Sequence, residues 1–205
     1  MDYKNLKDYA NTLATALGTI DESLINQLKN EILKRIDSSE QIFLIGNGGS
    51  AANAHHIVGD YSKTFAMISK CINIHSLADN ACYITAVSND LDYSEVFELL
   101  INSRVRKNDF IIFLSGSGNS MNLVKTARIA QTKMIKTAAI LGYSGGALKN
   151  LVDIPIHVNI NDMEIAEDAQ IATFHFIKQK IYEKLSGNNE PMAKYIKRVG
   201  EDLIA

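Results

Sequence analysis

Apolar positions fall into two rhythms along the chain. Residues 3–18 place Leu6, Tyr9, Ala10, Leu13 and Leu17 at helical spacing, and residues 22–36 repeat it with Leu24, Ile25, Leu28, Ile32 and Ile36. Asp21 stands where an N-cap is wanted. The spacing therefore predicts two amphipathic helices. Such a pair can cover a sheet or present an interface to another subunit, and the interface role is expected here. From residue 41 onward the rhythm changes to short, unbroken apolar runs at 41–45, 71–75, 110–114, 137–141 and 154–158. Helical segments at about 50–62, 81–87, 94–105 and 121–132 separate the first four runs, and a longer one from about Glu164 to Leu185 follows the last. Uniformly apolar strands alternating with helices predict a doubly wound α/β fold of about five parallel strands, covered on both faces.

Two of the runs end in unusual loops. Ile42–Phe43–Leu44–Ile45 stops at Gly46–Asn47–Gly48–Gly49–Ser50, and Phe110–Ile111–Ile112–Phe113–Leu114 stops at Ser115–Gly116–Ser117–Gly118–Asn119–Ser120. Ligands of open α/β sheets sit at the carboxyl ends of the strands, where both loops fall. The glycines allow close backbone approach, and Ser50 is placed to cap a helix whose free N–H groups attract an anion. Three hydroxyls and several amides in the second loop suit a compact terminal phosphate. The first loop also fits a loose dinucleotide pattern, Gly46-x-Gly48-x-x-Ala51, but the second run ends Ile74–His75–Ser76 without the acid that would hold a ribose. No GxxxxGK[ST] motif is present, so no nucleotide is expected. On the helix after the first loop His56 and Asp60 lie four apart, about 40° around the axis and on one face.

Composition narrows the partners. With 205 residues, 46% of them apolar, and a net charge of −2, the chain is read as one domain with a sizeable core and no nucleic-acid partner. No apolar run approaches membrane-spanning length, and Met1–Asp2–Tyr3–Lys4–Asn5 does not open a signal peptide, so no membrane partner and a cytoplasmic location are expected. Cys71 and Cys82 read as free thiols in apolar surroundings.

Gly46–Asn47–Gly48–Gly49–Ser50, His56, the Asn89–Asp90 pair and Ser115–Ser120 together resemble the sugar isomerase (SIS) domain, and within it the phosphoheptose isomerases, over about residues 1–185. The resemblance implies a flavodoxin-like or Rossmann-like SIS fold in a single domain: a helical pair at 1–38, an α/β core at 39–186 and a tail at 187–205. It implies an aldose–ketose isomerase acting on a heptose 7-phosphate such as sedoheptulose 7-phosphate, in a homotetramer with sites between subunits. The family also contains non-catalytic sugar-phosphate sensors, the alternative function. By resemblance Ser115, Gly116, Ser117 and Ser120 hold the phosphate, while Asn47, Gly48, Gly49, Ser50, Asn89, Asp90 and Gln170 line the sugar. Zinc is implied at His56, Asp60 and Gln170. Asp60, a glutamate in the family, is expected as the base, with His56 and Lys178 as its catalytic companions. Lys178 stands where the family has a histidine eight residues after the glutamine, so one zinc ligand is missing. His175, about 140° around the last helix from Gln170, is expected to stay outside the site.

Overall fold

The computed structural model describes residues 3–186, with 197 and 200 as isolated helical positions; the expected helix in the 187–205 tail otherwise lies outside the described residues. The elements are α1 (Leu6–Leu17), α2 (Glu22–Lys34), β1 (Gln41–Ile45), α3 (Gly48–Ala66), β2 (Asn73–Ser76), α4 (Ala81–Asp90), α5 (Val96–Arg104), β3 (Phe110–Ser115), α6 (Met121–Thr132), β4 (Lys136–Leu141), β5 (Ile154–His157) and α7 (Met163–Ser186). All five strands are parallel, in the order β2-β1-β3-β4-β5. This is the flavodoxin-like order, whose switch point lies between β1 and β3.

The pleat divides the core. Ile42, Leu44, Phe110, Ile112, Leu114 and Ile140 point to one face, where α1, α2, α3 and α7 cover them. Phe43, Ile45, Ile111, Phe113 and Leu141 point to the other, under α4, α5 and α6. Alternating side chains of one strand thus serve two cores, which is why the strands read as continuous apolar runs. The N-terminal helices bury Ala16, Leu28 and Ile32 against their own sheet layer, so they perform the covering role as well as any interface role. Tyr9 Oη donates to Asp168 at 2.6 Å and Tyr3 Oη to Asp162 at 2.9 Å, which ties the N-terminal segment to the start of α7. Cys71 and Cys82 are free but exposed, not lodged in apolar surroundings. Among the described residues no helix is long and apolar enough to cross a membrane.

Candidate active site

The loops after β1 and β3 meet at the switch point. They enclose a cavity of about 250 Å³ lined by Asn47, Gly48, Gly49, Ser50, Ser115, Gly116, Ser117 and Ser120, with Met163 and Glu167 of α7 as its third wall. Sequence reasoning found both loops but not Glu167.

Local chemistry shapes the β3 loop. Ser115, almost fully buried, accepts the Gly118 N–H at 3.0 Å, so its hydroxyl builds the turn rather than facing the cavity. Gly118 has a φ of +67°, and a Cβ there would overlap the Gly145 carbonyl. The Asn119 side chain accepts the Ala147 N–H at 2.9 Å and the Gly118 carbonyl accepts from Leu148 at 3.1 Å, which staples the loop to the neighbouring 145–150 turn. Ser117 accepts the Asn119 N–H at 3.3 Å, while Ser120, the N-cap of α6, makes no capping bond through its side chain. Two of the three serines therefore offer hydroxyls to a ligand, both at a helix N-terminus.

The β1 loop departs from expectation. The N-cap of α3 is Asn47, not Ser50. The Asn47 side chain forms a reciprocal amide pair with Asn122 (3.0 and 2.9 Å) and accepts from Tyr93 Oη at 2.7 Å. Its amide thus braces the two loops against each other; neither Asn122 nor Tyr93 stands out in the sequence. An anion was expected at the α3 N-terminus, and the group found there belongs to the protein: the Glu167 carboxylate of α7. That carboxylate lies against Gly49, where any Cβ would collide with it. Burial first, then the charge of Glu164, raises the Glu167 carboxyl above the usual value; the nearby Ser50 backbone opposes this and Asp168 adds to it. With the first N-terminus so occupied, the β3 loop is the better seat for a phosphate.

Gln170 does not join His56 and Asp60. Its Nε2 donates to Ser50 Oγ at 3.1 Å and its Oε1 accepts from Asn53 at 3.0 Å, just behind the cavity wall. His175 takes the expected place instead. Its Nε2 is 3.0 Å from His56 Nε2 and 3.8 Å from Asp60 Oδ2, and one ligand atom from each of the three residues lies within 4.8 Å of the others. The eight-residue spacing sought from Gln170 to Lys178 is also met by Glu167 and His175. Burial holds the His175 imidazole below its ordinary value; the Asp60 carboxylate opposes this, and Lys178 and His56 reinforce it. The ring is thereby kept in the neutral form that binds metals. Lys178 Nζ donates to Asp60 Oδ2 in a short ion pair. Two nitrogens and a carboxylate oxygen fit a zinc ion with one open position, with the Lys178 ammonium as the competitor for Asp60. By helical rise this cluster sits about 9–15 Å along α3 from Ser50. Asn89 and Asp90 are not brought to the cavity. They are exposed at the end of α4, where Asn89 donates to Asp90 at 2.9 Å.

Comparison with known proteins agrees with this geometry. The SIS domain family model matches residues 6–142. A probable phosphoheptose isomerase of Thermoplasma volcanium is 32% identical over 84% of this chain and 88% of its own. Phosphoheptose isomerase 2 of Campylobacter jejuni is 34% identical over 82% and 85%. Among solved structures, phosphoheptose isomerase GmhA of Neisseria gonorrhoeae superposes with a TM-score of 0.77 at 22% identity, covering 87% of this chain and 96% of that one. The phosphoheptose isomerase of Francisella tularensis gives 0.79 at 22%, covering 86% and 95%. A five-stranded parallel sheet, glycine and serine loops at its switch point, and relatives of this similarity along most of their length have one explanation: the chain belongs to the SIS-domain family, on its phosphoheptose isomerase branch.

Proposed function

We propose that the protein is a phosphosugar isomerase that interconverts the ketose and aldose forms of a heptose 7-phosphate, with sedoheptulose 7-phosphate as the ketose. The carrying observation is the switch-point cavity, where Ser117 and Ser120 face a carboxylate wall across a space sized for a small monophosphate. The names borne by the relatives support the heptose class. In this arrangement the β3 loop, shaped by Ser115, Gly116 and Gly118, fixes the phosphate, which places the carbonyl end toward α3 and α7. Anchoring at a site remote from the reacting carbons converts binding energy into orientation.

His56, Asp60 and His175 would hold a zinc ion, which when bound polarises the sugar carbonyl as a Lewis acid. Gln170 and Asn53 support the wall between that cluster and the cavity. The whole described chain serves this one site as a single domain. Its assembly is a homotetramer in the cytoplasm. An apolar groove between the ends of α1 and α2 and the middle of α7, rimmed by Leu17, Ile20, Ile25 and the exposed Phe176, supports burial against another copy.

The test is turnover across a panel of heptose, hexose and pentose phosphates, with heat of binding measured in parallel. Conversion of sedoheptulose 7-phosphate to an aldose is the expected result. Binding without conversion of any member of the panel would instead identify a sugar-phosphate sensor.

A further inference from the structure

We propose that Tyr93 is a positioning residue of the sugar site: acting with Asn122, it locks the side-chain amide of Asn47 so that one N–H, and no oxygen, is presented to the ligand. The proposal rests on the sugar-phosphate reading of the switch-point cavity and deepens it, because it states which kind of ligand atom meets the β1 loop.

The polarity of the amide follows from a group that can only donate. The backbone N–H of Leu123 lies 2.9 Å from a side-chain atom of Asn122, so that atom is Oδ1. Asn122 then turns its Nδ2 toward Asn47 Oδ1 at 2.9 Å, and Asn47 returns its own Nδ2 to Asn122 Oδ1 at 3.0 Å. Tyr93 Oη stands 2.7 Å from the same Asn47 Oδ1, and a hydroxyl facing an amide oxygen donates. Both lone pairs of Asn47 Oδ1 are thereby spent, one on Asn122 and one on Tyr93. Of the two N–H groups on Nδ2, one goes to Asn122 and the other has no partner among the described residues. Asn47 lines the cavity. Its unspent N–H is matched by an oxygen acceptor, a hydroxyl or carbonyl oxygen of the sugar. An amide turned the other way would set its own oxygen against that atom and repel it.

Both holders of Asn47 come from one rigid unit. Asn122 is buried in the first turn of α6. Three residues on, on the same face of the helix, Lys125 Nζ donates to Ser94 Oγ at 2.7 Å and lies 3.7 Å from Glu95 Oε1. These contacts hold the single 3₁₀ turn Tyr93–Glu95 against α6 and so set the reach of Tyr93 Oη. The amide is therefore oriented before any ligand arrives, and binding does not have to order it. Tyr93 is 48% exposed, so removing its hydroxyl tests the contact without opening the core.

The experiment is a double-mutant cycle read by calorimetric binding of sedoheptulose 7-phosphate. Tyr93→Phe is made in the wild-type background and in Asn47→Ala, and the Tm of each variant is measured alongside. Tyr93→Phe is expected to weaken binding about three- to tenfold in the wild-type background, the size of one hydrogen bond between neutral groups, and by less than about twofold where Asn47 is already alanine. Asn47→Ala alone is expected to cost about tenfold, with the phosphate still held by the β3 loop. An equal loss from Tyr93→Phe in both backgrounds overturns the proposal, since the tyrosine would then act without Asn47. Unchanged affinity in Tyr93→Phe or in Asn47→Ala also overturns it, and a lower Tm with unchanged affinity marks a merely structural tyrosine. Wild-type protein that binds no sugar phosphate fails the reading of the cavity itself, and the proposal with it; the wild-type arm alone separates this outcome from the others.

Discussion

Replacing Lys178 by methionine tests how the α3–α7 cluster chooses its cation. The ammonium donates to Asp60 Oδ2, and the two side chains are only 18% and 17% exposed. Methionine matches the length and removes the charge. Asp60 then keeps a largely buried carboxylate beside the His175 imidazole at 3.8 Å and the His56 imidazole within 4.8 Å. Breaking a fully buried pair by removing one partner costs about 3–5 kcal/mol, and surface pairs cost near zero to 1. Residual solvent access on both side chains puts Lys178→Met between these limits, at about 2 kcal/mol. For a chain of 205 residues that lowers Tm by about 4–8 °C. The same change releases Asp60 to a metal. Zinc at about 100 times its Kd stabilises by roughly 2.7 kcal/mol, enough to restore the lost Tm. Wild-type protein must first part the ion pair, so its zinc response is smaller at equal concentration. The assay is calorimetric unfolding of metal-stripped wild type, Lys178→Met and Lys178→Met/His175→Ala, with and without zinc. Expected are a lower Tm for Lys178→Met, a larger zinc-induced rise than in wild type, and loss of that rise when His175 is also removed. Equal Tm and equal zinc response in wild type and Lys178→Met would refute the competition between ammonium and metal.

Two further outcomes follow from the site and the fold. Ser117→Ala/Ser120→Ala removes the two hydroxyls that face the cavity and is expected to weaken sugar-phosphate binding by about 1–3 kcal/mol per lost charged hydrogen bond, read by calorimetry, while binding of the unphosphorylated sugar is unchanged. Asp153 is held below its ordinary 3.8 despite burial, by hydrogen bonds from the Thr137 hydroxyl and amide and by Lys136. A carboxyl lowered in the folded state stabilises above its unfolded value, and that stability is lost as pH falls through the lower folded value. Asp153→Asn is therefore expected to be less stable than wild type to urea at pH 7 and to match it once the pH has fallen through the lowered folded value; a gap that persists in acid contradicts the assignment.

Much of the fold was legible because each strand carries its own signal. Phe110–Leu114 is buried on both sides, and its unbroken apolar run says so directly. Helix α6 spans the expected 121–132, bounded by a serine loop before it. The two ligand loops were equally readable from glycines and serines that follow buried strands. What escaped was contact between elements. Whether His175 or Gln170 meets His56 depends on the register of α7 against α3, and spacing within α7 cannot supply it. The angle of His175 from Gln170 misleads because Gln170 faces Ser50, not His56. The Asn47–Asn122 pair joins positions 75 apart, and no local pattern announces it. Glu167 had one signal, the eight-residue step to His175, but its burial against Gly49 exists only once the helices pack. Asn89 and Asp90 follow from motif alone, and the fold leaves them at an exposed helix end.

Proton NMR of sedoheptulose 7-phosphate incubated with the wild-type protein tests the cavity at the ends of β1 and β3 most directly. New anomeric signals of an aldose heptose 7-phosphate, abolished in Ser117→Ala/Ser120→Ala, are predicted. A ketose spectrum that stays unchanged for hours under saturating protein, with the same silence from hexose and pentose phosphates, would contradict it.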